Sequence, residues 1–338
     1  MKRLVTVIIP VHNAAAFLKR GVECVTQQSF AISHPNLWEM ILVNDGSTDN
    51  SGELCDYYAA KYPNNVRVVH QKNSGVGKAR NVALELAQGE YVNFLDADDF
   101  YDEGYLADFA DVVSQVQVDL VVQGYRNFPI DEPEHRHFLR SEFYNHGQLG
   151  QFYCDLKRDY LFFTPIAKFF KRSILHNHHI QFIEGLHYFE DYLFNLEFMR
   201  YVNSAATIGV PYYNYVQHEG DRLGRKYTNP SVIADISKRI FEQSQLLPYK
   251  SPEQYELDCK EYYSALLHAV SHCIKGGNGI KEAYRYACLL FKSIEFYGHK
   301  TAFVATDFRL RLLMLGNSSL WLTLLMFLRS KNNYVFRI

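Results

Sequence analysis

Tyr91-Val92-Asn93-Phe94-Leu95-Asp96-Ala97-Asp98-Asp99-Phe100 is a short apolar and aromatic run that ends in three carboxylates. Its first half has the composition of a strand inside a sheet. The acids fall where that strand stops. In open α/β sheets, ligands bind beyond the carboxyl ends of the strands. An Asp-x-Asp at such a place sets two hard oxygen donors side by side, suited to Mg2+ or Mn2+ carrying a substrate diphosphate. Taken alone, the same acids also fit a solvated loop that caps the next helix. The neighbouring segments decide between the two.

Upstream, Val5-Thr6-Val7-Ile8-Ile9 is β-branched and almost continuously apolar, the pattern of a parallel strand covered on both faces. Pro10 is expected to end it. Asn13 is expected to cap a helix over 14–28 with an apolar face of Phe17, Leu18, Val22 and Val25. Met40-Ile41-Leu42-Val43 reads as a second strand running into Asn44-Asp45-Gly46-Ser47-Thr48-Asp49. Gly46 permits a tight turn there, and one of the three residues after it can cap a helix. Asp45 is left at the strand end, either to accept a nucleobase N–H or as a turn residue only. Val66-Arg67-Val68-Val69 is a third strand, and Asn73-Ser74-Gly75-Val76-Gly77 leads into Lys78-Ala79-Arg80-Asn81 and a helix ending near Gly89. The glycines let backbone N–H groups approach an anion, although the spacing is not that of a P-loop. Lys78 and Arg80 stand at a helix start, where the dipole disfavours cations. They are therefore expected to serve an anionic ligand or to pair with the carboxylates. A helix near 103–116 and the strand Asp119-Leu120-Val121-Val122 follow the opening stretch. This alternation predicts an α/β fold with a parallel sheet and right-handed crossovers. Pro10 to Asn13, Asp45, Gly75 to Asn81 and Asp96 to Asp99 then share one sheet edge.

In that order, VTVIIPVHN, ILVNDGSTDNS, NSGVGKARN and GEYVNFLDADD resemble the inverting glycosyltransferase family 2 over about the first hundred residues. The resemblance implies a GT-A fold, Rossmann-like, with a mainly parallel sheet flanked by helices. His12 stands where the family often has Tyr, and Asn44 where it often has Asp. By resemblance, the first strand end (Pro10, Val11, Asn13) and Asp45 hold the uridine of a UDP-sugar. Asp96 faces the ribose, Asp98 ligates Mn2+ or Mg2+, and Asp99 supports both. Lys78 and Arg80 complete the donor-binding candidates.

Further along, Phe182-x-Glu184-Gly185, then Glu190-Asp191 opening a helix, resembles the family's acceptor-side motif. The aspartate matching Asp191 is the general base there. An inverting transfer is one displacement, and the acceptor hydroxyl loses its proton as it attacks opposite the diphosphate. Read without the resemblance, Glu190 and Asp191 are acids that favour a helix N-terminus. That terminus lowers a carboxyl pKa, whereas burial and the charges of Asp96 and Asp98 raise it. Thr164-Pro165-Ile166-Ala167-Lys168 resembles another family segment. Lys168 reads as a surface lysine, with contact to donor or acceptor as the alternative. His176, His178 and His179 fit a solvated loop better than a metal site. Tyr213-Asn214-Tyr215, followed by His218, Gly220, Asp221 and Arg222, suggests a loop able to close over the site, with Arg222 meeting the diphosphate.

The chain of 338 residues is 48% hydrophobic and 15% aromatic, enough for a large core and against disorder. A net charge of −2 without a long basic run argues against nucleic acid as a partner. Six scattered cysteines without Cys-x-x-Cys suit reduced thiols in a cytoplasmic protein. Met1-Lys2-Arg3 runs into a strand pattern rather than a signal peptide. The expected layout is a donor half over 1–125, an acceptor half over 126–225 and a helical extension over 226–338. Its helices are expected near 231–247, 253–275, 279–296 and 306–329. Phe308 to Ile338 carries five basic residues and no acidic ones, and its apolar run is broken at Gly316-Asn317-Ser318-Ser319. That fits a helix pair lying on an anionic membrane better than a span; the other reading is a pair packed on the protein's own core. The expected function is metal-dependent sugar transfer from a UDP-sugar to a glycan or lipid-linked glycan hydroxyl at the inner membrane face, in capsule, exopolysaccharide or O-antigen synthesis. The alternatives are a non-catalytic nucleotide-sugar-binding or scaffold subunit, which should have lost Asp98 or Asp191, and a nucleotidyl transferase. The latter would want a Gly-rich basic signature beside the first strand.

Overall fold

The β-branched runs become β1 (Val5–Val11), β2 (Trp38–Asp45), β3 (Val66–Gln71) and β4 (Tyr91–Phe94) in a computed structural model that describes residues 2–129, 135–186, 189–218 and 230–275. These strands pair in parallel in the order β3-β2-β1-β4. Between them run α1 (Ala15–Thr26), α2 (Ser29–Ser33), α3 (Ser51–Lys61) and α4 (Val76–Leu86). Both β1 and β2 are buried along their whole length, as continuous apolar runs in a doubly covered parallel sheet must be.

Pro10 does not end β1, which continues to Val11. The reason lies in the ladder. Ile8 accepts from the Leu95 N–H on the β4 side, and β4 is paired with β1 no further than Ile8. Pro10, two residues on, turns its missing donor the same way, past the end of β4, where no ladder bond is lost.

Beyond β4 the sheet departs from an unbroken parallel series. The four-residue β9 (Lys168–Lys171) inserts antiparallel between β4 and β6 (Leu120–Phe128). The strand expected at 119–122 therefore runs in the direction of β4 without pairing to it. Aromatic rings fix this insertion: Phe169 stacks on Phe109 at 3.8 Å, and Phe170 meets Phe94, Phe194 and Phe198 edge-on. β10 (Ala205–Val216) pairs parallel with β6, and β5 (Phe100–Tyr101) pairs antiparallel with β10. Tyr213-Asn214-Tyr215 is thus strand, not loop. The short β7 (Arg136–His137) and β8 (Glu142–Tyr144) extend β6 and β10. Helices α5 (Tyr105–Gln115), α6 (Leu149–Arg158), α7 (Arg172–Asn177) and α8 (Glu190–Met199) lie among these strands in the chain.

The chain divides into two units, Met1–Asp221 and Arg222–Ile338. The described part of the second is α9 (Pro230–Ser244) and α10 (Pro252–Lys275). The helices expected over 279–296 and 306–329, the basic stretch from Phe308, and Gly220, Asp221 and Arg222 lie outside the described residues. Among the described residues no helix is long and apolar enough to cross a membrane.

One turn sets the exit of β2. Gly46 has φ +65, and a Cβ on it would lie 2.5 Å from the Asn73 backbone nitrogen. Gly46→Ala meets backbone strain and a clash together, so it should lower stability by about 1–3 kcal/mol, read as a fall in thermal midpoint. An unchanged midpoint would mean that the turn relaxes freely.

Candidate active site

The carboxyl ends of β1, β2 and β4 meet the start of α4. Asn13 has φ 50 and does not cap α1. Its side-chain Oδ1 accepts from the Thr48 N–H at 2.7 Å, which ties the β1 exit to the β2 exit. The first-turn donors of α1 are instead satisfied across the gap: Ala14 N–H by the Ser51 hydroxyl and Ala15 N–H by Asp49. Burial of Pro10 and Val11 leaves the end of β1 as a floor.

Asp45 is buried and accepts from Gln71 Nε2 at 2.7 Å, Ser74 N–H at 2.8 Å and Gly75 N–H at 2.9 Å. His12 Nδ1 donates to its carbonyl at 2.8 Å. Asp45 therefore holds the 73–75 loop in place. Three of about four carboxylate acceptor positions are filled, which leaves one for a ligand.

The acid cluster splits into three roles. Asp99 is buried, accepting from the Tyr213 hydroxyl and the Val216 N–H, each at 2.7 Å, and so fastens β10 to the end of β4. Burial, then Asp96 and Asp98, pushes its carboxyl well up. Asp98 and Asp96 keep side-chain exposures of 39% and 31%, enough for a ligand to reach them. The His218 Nε2 donates to Asp98 Oδ2 at 2.9 Å, and the His218 ring packs on Phe17 of α1 at 4.8 Å. Burial and the nearby Asp96 raise the Asp98 carboxyl.

One face of α4 joins this edge to the segment from Phe182 to Asp191. Lys78 pairs with Glu184 at 2.7 Å, not with the aspartates. The Asn81 side chain accepts from the Phe182 N–H and donates to the Phe182 carbonyl, both at 2.8 Å. Between them, Arg80 is 3% exposed and bonds Asp191 at 2.7 Å and Asp96 at 2.8 Å. Arg80 stays charged: burial works against the cation, and Asp191 and Asp96 outweigh it. Beneath it, Phe182 stacks on Phe194 at 4.0 Å.

α8 begins at Glu190, so Asp191 sits in the first turn. Its side chain is 24% exposed. Burial pushes its carboxyl up to about 7, and Arg80 pulls the other way. Burial thus overrides the helix terminus. Glu190 is buried and raised for the same reason.

Lys168 is not a surface lysine. It is 2% exposed, and its ammonium donates to the carbonyls of Leu161, Thr164 and Ile166. Asn195 of α8 donates to the Thr164 carbonyl as well, at 2.9 Å. Burial lowers the Lys168 pKa to about 7 against the pull of Asp191. Phe17 reads in the sequence only as part of a helix's apolar face and Tyr213 as part of a closing loop; their contacts with His218 and Asp99 depend on partners far away in the chain. His176, His178 and His179 are exposed around the end of α7, with His178 stacked on Tyr201 at 3.6 Å.

A family model described as glycosyl transferase family 2 matches residues 6–178. The protein EpsH of Bacillus subtilis (strain 168), named as a glycosyltransferase, is 26% identical over 259 residues, 72% of this chain and 66% of that protein. Several further relatives are named for teichoic acid biosynthesis. The chain spans less than two-thirds of the length of these curated relatives, from 11% to 66%. In fold it is similar to S. aureus TarS 1-349 in complex with UDP-GlcNAc, with a TM-score of 0.65, 19% identity and coverage of 86% and 85% of the two chains. It is also similar to the mannosyltransferase PcManGT from Pyrobaculum calidifontis in complex with GDP-Man and Mn2+, with a TM-score of 0.50, 17% identity and coverage of 95% and 88%.

Removing the Arg80 cation leaves two acids unpaired. Arg80→Met should cost about 3–5 kcal/mol of stability, the scale for breaking a buried pair from one side. It should also raise the Asp191 pKa, because a cation that favours the carboxylate is gone. Thermal unfolding and carboxyl 13C titration read the two effects. An unchanged midpoint and an unchanged Asp191 titration would remove Arg80 from this role.

Proposed function

Because the chain belongs to glycosyl transferase family 2, we propose that it moves a sugar from a UDP-sugar to a hydroxyl of a glycan acceptor, in one displacement with inversion. The observation that carries this reading is the Arg80 bridge, which holds the donor-side Asp96 and the acceptor-side Asp191 on one guanidinium. Uridine in the donor is supported by the likeness to TarS, solved with UDP-GlcNAc. Pro10, Val11 and Asn13 line its place, Asp45 offers its remaining acceptor position to uracil, and Asp96 faces the ribose. Lys78 and Glu184 border the acceptor side.

A divalent cation fits the donor set. Asp98 offers a carboxylate that a ligand can reach, and His218 Nε2 beside it would add a nitrogen on giving up its proton. Among the described residues there is no ready-made group of three or more ligating side chains. That suits an ion held by one or two protein ligands and completed by substrate phosphates and water. Mn2+ or Mg2+ bound there would neutralise charge on the departing diphosphate.

The protein's own chemistry lies at Asp191. Its carboxylate accepts the acceptor proton, and its raised pKa brings it close to working pH, where a general base is most effective. Glu190 is more deeply buried and serves the helix start. In layout, residues 1–125 bind donor, 126–225 bind acceptor, and the acid-free stretch from Phe308 supports contact with an anionic membrane that carries a lipid-linked acceptor.

Metal-dependent UDP release, screened over UDP-sugars with the purified protein, tests the activity; no release with any of them would overturn it. Asp191→Asn should keep donor affinity and lose about 10²–10⁴ in transfer rate, while Glu190→Gln should do much less. The reverse pattern would make Glu190 the base. Because the base must be ionised, the wild-type rate should fall as pH drops through about 7; a profile that stays flat over about one pH unit on either side would exclude Asp191. Asp98→Asn should abolish transfer and the dependence of UDP binding on Mn2+. Full transfer by that variant without added metal would reject the ion's place.

A further inference from the structure

The sheet face that carries Tyr213 also carries a run of aromatic rings that the chemistry above does not use. Register places Tyr213 beside Tyr125, Tyr215 beside Asn127, and Tyr125 beside His137. Side chains alternate along a strand, so Tyr213, Tyr215, Tyr125 and His137 share one face, while Arg126 and Arg136 take the other. The rings are continuous: Tyr215 to Tyr125 at 6.5 Å, Tyr125 to His137 at 4.6 Å, and His137 to Tyr160 at 5.7 Å. They go on through Phe163 to Tyr192, the neighbour of Asp191. The Tyr215 end of the run adjoins the carboxylates. At the first end, burial and the charges of Asp99, Asp96, Asp98 and Asp191 push the Tyr215 phenol up to about 12.

Tyr160 is the unexpected member. It is 60% exposed and has φ 58. It follows α6 at a turn in which the Leu161 N–H reaches back to the Leu156 carbonyl and the Tyr160 N–H to the Lys157 carbonyl. Glycine or asparagine is favoured at such a left-handed position. A bulky, exposed ring held there against backbone preference points to a use for the ring.

We propose that Tyr160, with Tyr125 and Tyr215, forms a stacking subsite for a neutral sugar ring of the glycan acceptor. The proposal rests on the transferase reading. Ring faces with hydroxyl tips suit the C–H faces and hydroxyls of a sugar. The surrounding acids (Asp96, Asp98, Asp99 and Asp191) disfavour a polyol phosphate, and the cations Arg126 and Arg158 are already paired with Asp102 and Asp155.

Saturation-transfer NMR on the full chain with UDP present tests this, with methyl β-glycosides of glucose, galactose and N-acetylglucosamine as probes against glycerol 3-phosphate. At least one glycoside should be saturated through its ring C–H protons. Tyr160→Asn should weaken that binding by roughly threefold to tenfold, the scale of one aromatic contact. Its thermal midpoint should stay level or rise by about 2 °C, because asparagine tolerates the backbone. Unchanged binding by Tyr160→Asn, preference for glycerol 3-phosphate, no saturated glycoside, or a loss of binding together with a lower midpoint would each overturn the subsite. If no UDP-sugar supports transfer but glycoside binding still depends on Tyr160, the transferase reading fails and the subsite stands.

Discussion

A guanidinium with almost no access to water cannot stay without counter-charges, and Arg80 takes two of them, Asp96 and Asp191. The partners come from segments 16 and 111 residues away. Leaving either acid unpaired would strand a charge at low dielectric, so the end of β4 and the start of α8 must arrive at the same place. The neighbouring positions on α4 reinforce that demand. Asn81 fixes the Phe182 backbone, and Phe182 stacks on Phe194 beneath the cation. A polar helix face over an aromatic floor thus determines where Asp96 and Asp191 stand relative to each other.

The same logic governs the other edge. Asp99 is spent on structure: it binds Tyr213 and Val216, and so sets β10 beside β4's exit. That leaves Asp96 and Asp98 as the accessible pair, and it brings His218, two residues past β10, to Asp98. Lys168 does for the segment before β9 what Asp99 does for the end of β4. Its buried ammonium gathers three carbonyls of the 161–166 turn, whose Thr164 carbonyl is shared with Asn195 of α8.

Much of this was legible in local pattern. The apolar runs pointed to β1 to β4 and to their parallel direction, though not to their order in the sheet, because covered parallel strands read as unbroken apolar stretches. Asp96 and Asp98 were placed at a strand end by the same signal. What stayed hidden depends on partners far away in the chain. β9 is four residues long and has no distinguishing pattern; its slot between β4 and β6 is decided by ring packing with Phe109, Phe94 and Phe194. Asn13 looked like a helix cap because composition cannot say that Ser51 and Asp49 cap α1 from another loop. Lys168 looked exposed because lysine is seldom buried, and nothing nearby in sequence announces three converging carbonyls.

If Arg80 holds a single base across from the donor, the sugar leaves the diphosphate in one step. The anomeric configuration of the first product tests this most directly, read by 1H NMR coupling of the anomeric proton in the early phase of transfer from an α-linked UDP-sugar. The arrangement around Arg80, Asp96 and Asp191 predicts a β-linked product. An α-linked product would mean retention at the anomeric carbon, which one in-line displacement does not give, and would contradict the account.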